Sequence, residues 1–143
     1  MEDAPGRVLG IDYGSRRVGI ALSDPLRIIA SGAGTLDNTP GLIATLVSLV
    51  LAEHVALVVV GMPYAPDGGQ GGKAEEVGRF VAALSAAVEV PVETWDESFS
   101  SVNARQALID GGMKKTKRRQ KGRVDEMAAR LLLQEFLENA HQR

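Results

Sequence analysis

Three acidic residues, far apart in the chain, could together form a hydrolytic metal site. Asp12 ends an apolar segment, Glu97 ends a short predicted strand, and Asp125 begins the last helical pattern. Carboxylate oxygens are the ligands that Mg²⁺ and Mn²⁺ prefer, with substrate phosphates completing the coordination. Two such ions about 4 Å apart can activate water and stabilise the leaving oxygen of a phosphodiester. We therefore expect Mg²⁺ or Mn²⁺, as two ions, if the fold brings the three carboxylates together.

Asp125 is the most informative of the three acids because the helical repeat fixes its face. Small or apolar residues recur three, four, seven and eleven positions after it, so Asp125 shares the stripe expected to face the core. A buried carboxylate is costly unless it meets a cation or a metal. The simpler alternative is an acid favoured by the helix dipole, a role that Glu126 would fill equally well from a different face. The stripe consists of Ala128, Ala129, Leu132 and Phe136.

The two acids that end strands also allow simpler interpretations. Asp12 begins an Asp-x-Gly sequence, and such a sequence can do no more than cap a turn. Side chains alternate along a strand, so Asp96 and Glu97 point to opposite faces, and periodicity alone does not say which of them faces the site. The same pair can equally begin a helix-capping turn that leads into residues 98–101.

A second chemical feature is a run of positive charge at residues 114–123, KKTKRRQKGR. It holds seven of the 16 Lys and Arg and no acid, which leaves nine basic residues against 18 acidic ones elsewhere. A run of one sign that ends two residues before Asp125 indicates contact with phosphates, although a solvated charged loop is the simpler alternative. We predict that this loop binds nucleic acid through Lys114, Lys115, Lys117, Arg118, Arg119, Lys121 and Arg123.

The composition excludes several other chemistries. The chain has no Cys, which excludes disulfides, thiol catalysis and Cys-ligated zinc. Its two His are expected at a helix C-terminus (His54) and in a frayed tail (His141), so neither a zinc site nor a Ser-His-Asp triad is favoured. The apolar runs are too short to span a bilayer, and the acidic N-terminus does not resemble a secretory signal. We expect a cytoplasmic protein without a membrane partner.

The elements that must position these residues change in character along the chain. The first three predicted strands are joined by short turns, as in an antiparallel meander, whereas helices and strands alternate afterwards. Residues 37–40, Asp-Asn-Thr-Pro, are typical of a helix start. Strands are predicted at Val8–Asp12, Val18–Ser23, within Ile28–Leu36, at Ala56–Val60 and at Pro91–Asp96. Helices are predicted from the 37–40 signal to about His54, and at about Lys73–Val88, Ser100–Asp110 and Val124–Asn139.

This order of elements predicts an α/β fold in which a mixed sheet carries helices on its faces. A length of 143 residues suits one domain, spanning residues 1–143, with one core. In that arrangement Asp12 and Glu97 end strands, while Asp125 points back at the sheet from the last helix.

Five segments, in order and at these separations, resemble the YqgF/RuvX family of ribonuclease H-like proteins, which are distant relatives of the RuvC resolvases. Together they cover nearly the whole chain. The resemblance implies a ribonuclease H-like fold: a mixed five-stranded sheet, with three antiparallel strands followed by parallel ones, and helices on both faces. The segments are GIDYGSRRVGIALSD (10–24), VVVGMP (58–63), GGQGG (68–72), WDESFSS (95–101) and VDEMAARLLLQ (124–134).

The resemblance also implies a catalytic, metal-binding triad of Asp12, Glu97 and Asp125, and it favours Glu97 over Asp96. It implies a metal-dependent nuclease whose substrate is precursor 16S rRNA, trimmed at its 5′ end, or a Holliday junction in DNA. The sequence does not choose between these substrates.

One departure from the family pattern concerns phosphate binding. Family members commonly carry an Arg after the Asp-Glu pair, where this chain has Ser98. We expect Arg16, Arg17 or Arg105 to supply that phosphate contact, and we add Arg16 and Arg17 to the predicted nucleic-acid-binding residues.

Two other classes of function, and the oligomeric state, remain open. A nucleotide-binding protein of the actin/hexokinase type would use a similar phosphate-holding hairpin, but it normally requires two such domains. A catalytically silent nucleic-acid-binding module is opposed by the presence of all three acids. We also expect a weak homodimer, since two-fold symmetry suits a four-way junction. The apolar surface available for it comprises Phe99, Met113, Leu131 and Leu137.

Overall fold

The computed structural model describes residues 5–62, 72–96 and 117–141, with the backbone alone described at residues 72, 117–124 and 141. Its strands are β1 (Arg7–Asp12), β2 (Arg17–Ser23), β3 (Ala30–Asp37), β4 (Val55–Met62) and β5 (Val92–Asp96). Its helices are α1 (Leu42–Ala52), α2 (Gly72–Ala87) and α3 (Lys117–His141).

The five strands form one mixed sheet in the order β3-β2-β1-β4-β5. β1 pairs antiparallel with β2 and parallel with β4, β2 pairs antiparallel with β3, and β4 pairs parallel with β5. This confirms the predicted antiparallel meander followed by parallel strands. Because β1, β4 and β5 run in the same direction, their ends at Asp12, Met62 and Asp96 lie along one edge, which we call the carboxyl edge.

The two faces of the sheet pack against different helices, as predicted. Leu9 and Ile11 of β1 belong to a core that includes side chains of α1 and α2, so we call this side the α1/α2 face. Val8 lies in a second core with residues of α3, on what we call the α3 face. Side chains alternate along a strand, so Gly10 and Asp12 share the α3 face with Val8.

The helix α3 lies unusually close to the sheet because β1 and β2 present glycines to it. A Cβ built on Gly10 would lie 2.8 Å from the Cβ of Leu133. A Cβ built on Gly19 would overlap the backbone carbonyl group of Asp125. The absence of these side chains lets the helix backbone approach β1 and β2 directly.

The start of α1 differs from the prediction. The helix begins at Leu42 after Gly41, and no side chain caps its N-terminus. Asn38 instead donates from Nδ2 to the carbonyl oxygen of Gly14 at 2.7 Å. The residue types in the 37–40 signal suit a turn as well as a cap, and here a contact with the β1–β2 turn takes precedence.

The last helix also differs from the prediction, since it begins at Lys117 rather than near Val124. The loop predicted over residues 114–123 is therefore helical from Lys117 onward. Its Lys, Arg and Gln residues are good helix formers, so they extend the helix once α3 has packed against the sheet. The helix predicted at Ser100–Asp110 lies outside the described residues. None of the helices in the described ranges is both long and apolar enough to cross a membrane.

Candidate metal and nucleic-acid site

Asp12 is a buried carboxylate at the carboxyl edge of the sheet. It ends β1, and its side chain is only 2% exposed. Its alternation with Val8 and Gly10 turns it toward α3. Burying an ionised carboxylate is costly unless hydrogen bonds or a cation compensate for the lost water, so this position is not that of an ordinary turn cap.

Gly19 brings Asp125 next to Asp12. Gly19 is the direct partner of Asp12 in the β1–β2 ladder, where opposed Cα atoms lie about 4.5–5.5 Å apart. Paired residues in an antiparallel ladder share a face, and the Cβ that Gly19 lacks would occupy the position of the Asp125 carbonyl group. Two of the three predicted acids, 113 positions apart in the sequence, therefore meet at one end of the sheet.

Asp125 is oriented by Arg17, the first residue of β2. The Nε atom of Arg17 donates to Oδ2 of Asp125 at 3.3 Å, and the two side chains are 30% and 20% exposed. The predicted core-facing stripe is confirmed, since Ala128, Ala129 and Leu132 are fully buried. Arg17 was predicted to contact nucleic acid, and in the described structure it contacts Asp125.

Glu126 was predicted to lie on a different face of the helix from Asp125, yet its side chain also reaches the sheet, at β3. Its Oε2 accepts a hydrogen bond from the backbone N–H of Gly34 at 2.7 Å. Its carboxylate fills the space where a side chain at Gly32 would lie. Gly34 has φ +97° and lies where the register of the β2–β3 ladder shifts. Glu126 thus accepts a hydrogen bond from a backbone N–H in this irregular stretch of the ladder. Because α3 approaches so closely, two successive helix positions reach the sheet.

Two side chains that the sequence analysis missed hold the segment that follows Asp12. Asn38 binds the Gly14 carbonyl through its side chain, and its backbone N–H donates to the carbonyl of Arg16 at 2.8 Å. Tyr13 donates from its hydroxyl to Oε2 of Glu76 at 3.2 Å, and its ring centroid lies 4.6 Å from that of Phe80. These contacts join the β1–β2 turn to the β3–α1 junction and to α2. No local pattern marks them, because each joins residues at least 22 positions apart.

Contacts of Trp95 and Val92 show which face of the sheet each side chain at the end of β5 points to. Trp95 packs edge-on against Phe136 of α3, with ring centroids 5.5 Å apart, and its Nε1 donates to Oε1 of Glu135 at 3.0 Å. Val92 packs against the core on the α1/α2 face. Alternation along β5 therefore turns Trp95 toward α3 and Asp96 toward the other face. Glu97, the remaining predicted acid, lies outside the described residues.

The predicted cationic residues are described only in part. Arg16 is exposed in the β1–β2 turn, near the carboxyl edge. Lys114, Lys115 and Arg105 lie outside the described residues. The backbone of five predicted contact residues forms the first two turns of α3, directly before Asp125. These five are Lys117, Arg118, Arg119, Lys121 and Arg123.

The apolar surface predicted for self-association is smaller than expected. Leu137 is 1% exposed and packs in the core of the α3 face, so its prediction as an outer position is wrong. The helical repeat places it one turn after Leu133, on the stripe that contacts the sheet. Leu131 is half-buried, whereas Phe99 and Met113 lie outside the described residues.

The donor set at this site suits a hard cation. Asp12 and Asp125 offer carboxylate oxygens, the ligands that Mg²⁺ and Mn²⁺ prefer, at the end of a sheet where substrate phosphate could complete the coordination. Within the ranges 5–62, 72–96 and 117–141, no three Asp, Glu, His or Cys side chains form a group that could hold a metal. The described part of the site thus supplies two acids.

Comparisons with known proteins agree with this architecture. A family model described as "RuvX: Holliday junction resolvase" matches residues 6–139. A protein of Chlorobium luteolum is 43% identical over 134 residues, which cover 93% of this chain and 94% of that protein. A protein of Roseiflexus is 38% identical over 141 residues, which cover 97% of this chain and 99% of that protein. Both carry the name "Putative pre-16S rRNA nuclease".

Solved structures extend the similarity to the fold. RuvC of Thermus thermophilus in complex with a Holliday junction aligns with TM-score 0.59 and 20% identity, covering 95% of this chain and 96% of that one. Fowlpox virus resolvase in complex with junction DNA aligns with TM-score 0.56 and 14% identity, covering 94% and 98%. At such low identity the likeness concerns the fold alone, and that fold is ribonuclease H-like.

Proposed function

Because this chain belongs to the RuvX family, we propose that it is a divalent-metal-dependent nuclease that hydrolyses phosphodiester bonds in structured nucleic acid. The observation that carries the proposal is the meeting of Asp12 and Asp125 across Gly19 at the carboxyl edge. A carboxylate as buried as that of Asp12 is poorly suited to a purely structural role, because burial disfavours its charged form unless a cation or hydrogen bonds compensate.

In this proposal Asp12, Glu97 and Asp125 together hold Mg²⁺ or Mn²⁺, with two ions in the active state. The facing of β5 supports Glu97 over Asp96, since Trp95 contacts α3 and alternation turns Asp96 away from it. When bound, the ions would activate water and stabilise the leaving oxygen. The chain itself contributes position: β1 fixes Asp12, α3 fixes Asp125, and Gly19 sets the spacing between them.

The substrate that we favour is precursor 16S rRNA, cut at its 5′ end in the cytoplasm. Support comes from relatives with this name that are about 40% identical across nearly their whole length. Holliday junction resolution is the second candidate, favoured by the description of the family model. A homodimer would suit the second candidate, because a junction requires two symmetric cuts.

The nucleic acid would lie along the basic start of α3 and the β1–β2 turn. The positive residues of α3 immediately precede Asp125, so a phosphate backbone held by them runs toward the two acids. Such contacts bind without sequence preference and depend strongly on salt. Arg16, exposed in the β1–β2 turn next to Arg17, would extend this surface.

The decisive experiment compares cleavage of a labelled precursor rRNA fragment and a labelled four-way DNA junction, each with Mg²⁺ and with Mn²⁺. Asp12→Asn, Glu97→Gln and Asp125→Asn should each abolish cleavage with little loss of folding stability. Neutralising one of several crowded carboxylates relieves repulsion in the metal-free protein, so folding should survive. Asp96→Asn is the matched control and should keep activity. Full activity in two of the three triad variants would sink the proposal.

The basic segment is tested by salt dependence. Replacing Lys114, Lys115, Lys117, Arg118 and Arg119 with Ala should reduce the slope of log affinity against log salt by roughly one unit for each phosphate that is no longer bound. The pair Lys73→Ala and Arg79→Ala on α2 removes charge elsewhere and should leave the slope unchanged. An unchanged slope in the five-residue variant would show that the segment does not contact phosphates.

A further inference from the structure

The ion pair between Arg17 and Asp125 joins the first hairpin to a proposed metal ligand. Nε of Arg17 lies 3.3 Å from Oδ2 of Asp125, so a guanidinium lies against one oxygen of this carboxylate. The backbone of Asp125 packs against Gly19, the ladder partner of Asp12, whose side chain is almost completely buried. Two neighbouring acids repel each other, and a cation held against one of them offsets that repulsion.

A guanidinium and a divalent ion compete for the same negative charge. A metal bound by Asp125 draws on the carboxylate oxygens and lowers the net negative charge that holds Arg17. The Arg17 side chain is 30% exposed and lies at the start of β2, next to the β1–β2 turn in which Arg16 is exposed, so it has access to solvent. Arg is well suited to phosphate, because its planar fork binds two oxygens at once.

We propose that Arg17 is a positioning residue that holds Asp125 before metal binds, and that metal binding loosens this pair so that the guanidinium becomes available to a phosphate of the nucleic acid. The inference rests on the proposed function, since it takes Asp125 as a metal ligand. It assigns to Arg17 a part of the phosphate contact that an Arg makes at the position of Ser98 in related proteins, and it couples metal binding to nucleic-acid binding.

A purely structural ion pair makes a different prediction. If Arg17 only stabilises the fold, its removal lowers the melting temperature and leaves the metal affinity of the folded protein unchanged. If Arg17 competes with metal, its removal lowers the melting temperature of the metal-free protein and tightens metal binding. Metal affinity is therefore the property that separates the two roles.

The first measurement is calorimetric titration of the full chain with Mn²⁺ in the absence of nucleic acid. Arg17→Gln should bind Mn²⁺ up to about fivefold more tightly than wild type, the range expected for a partly exposed pair. Arg17→Lys keeps the charge and should remain near wild type. Arg130→Gln removes the same charge from α3, where Arg130 contacts the sulfur of Met127, and controls for a general change in charge.

The second measurement is fluorescence anisotropy of a labelled four-way DNA junction, in EDTA and in Ca²⁺. Arg17→Gln should weaken binding little in EDTA, where Asp125 holds the guanidinium, and severalfold more in Ca²⁺, where it is available. An equal loss under both conditions overturns the proposed exchange. The proposed exchange is also overturned if wild type binds Mn²⁺ but Arg17→Gln binds Mn²⁺ no more tightly than Arg130→Gln does. A wild-type chain that binds no Mn²⁺ overturns the metal-dependent function itself, and this inference with it.

Discussion

The two faces of the sheet are built from alternate residues of the same strands, yet they pack against their helices in different ways. On the α1/α2 face, β1 and β2 contribute Leu9, Ile11 and Ile20, which pack against large side chains of both helices. On the α3 face, Val8 begins the β1 row, but the positions nearer the carboxyl edge are small or polar, and they include Gly10, Gly19, Ala21 and Asp12. The first face is filled by side chains, whereas the second admits the backbone of a helix.

The two faces therefore contribute differently: the α1/α2 face mainly stabilises the fold, whereas the α3 face also sets the position of Asp125 relative to Asp12. Large branched side chains bury the most apolar area and keep helices at the usual distance from a sheet. Glycines bury little, but they bring the α3 backbone against β2 and so fix Asp125 relative to Asp12. We therefore expect substitutions on the α1/α2 face to change the free energy of unfolding, and those on the α3 face to change the site as well.

The largest loss of stability should follow a truncation on the α1/α2 face. Leu84→Ala removes a fully buried side chain of α2 and should cost about 2–5 kcal/mol of unfolding free energy in urea titrations. The Mn²⁺ affinity of the molecules that remain folded should equal that of wild type. Weakened Mn²⁺ binding by a folded Leu84→Ala protein would break the division between the two faces.

A smaller loss of stability, with a larger loss of function, should follow Gly19→Ala. The added methyl group overlaps the Asp125 backbone and should cost about 1–3 kcal/mol, while Mn²⁺ binding and cleavage fall sharply. Gly78→Ala in α2 is the matched control, because nothing lies near its Cβ position. That control should gain about 0.5–1 kcal/mol, since Ala suits a helix better than Gly. Wild-type Mn²⁺ affinity in Gly19→Ala would refute the role given to this close approach.

A still smaller effect is expected at the junction that holds the β1–β2 turn. Asn38→Ala removes the hydrogen bond to the Gly14 carbonyl and should cost about 0.5–1.5 kcal/mol, with reduced Mn²⁺ affinity because the segment after Asp12 is less restrained. Thr45→Ala also removes one hydrogen bond to a backbone carbonyl, but from the exposed side of α1, and should change neither quantity measurably. Equal effects in the two variants would mean that the Asn38 contact is merely structural.

The smallest effect should come from the end of the sheet away from the site. The Asp24 carboxylate accepts hydrogen bonds from the N–H groups of Ile29, Ile28 and Leu26. These bonds, that from Ile29 above all, hold the pKa of Asp24 below its ordinary value of 3.8. A carboxyl group with a lowered pKa stabilises the fold above that ordinary value, and its contribution disappears as the pH falls through the folded-state pKa.

Asp24→Asn should therefore have a slightly lower urea midpoint than wild type at neutral pH, and the difference should vanish well below pH 3.8. Its Mn²⁺ affinity should match that of wild type. A difference in urea midpoint that persists in acid would show that the loop depends on something other than the ionised carboxylate.

The sequence predicted most of the fold because periodicity and turn residues are local properties. The strand alternation and the stripe that begins at Asp125 placed both faces of the sheet correctly. Boundaries were weaker: the start of α1 and the start of α3 were misassigned. At α1, the contact of Asn38 with the Gly14 carbonyl takes precedence over the local capping signal. At α3, good helix formers extend the helix once its later turns have packed against the sheet.

The sequence indicated which acidic residues belong to the candidate site, but it did not predict most of the contacts that hold them in position. Asp12 and Asp125 were identified from their positions at element ends, and the resemblance to a family supported that choice. The roles of Arg17, Asn38 and Glu126 could not be predicted, because each depends on how closely distant segments approach one another. The distance between α3 and the sheet is set jointly by glycines in three different strands. No single segment of the sequence therefore predicts that distance.

The long separation between the partners of the Arg17–Asp125 pair has a consequence for biosynthesis. The two residues are 108 positions apart, so at about 5–20 residues per second a ribosome needs roughly 5–22 s to make the second after the first. During that interval the nascent chain already contains Asp12 and the whole first hairpin. The proposed metal site would be incomplete until α3 emerges and docks. Under the proposed function, a nuclease built in this order would not act on the RNA around its own ribosome before α3 has been made.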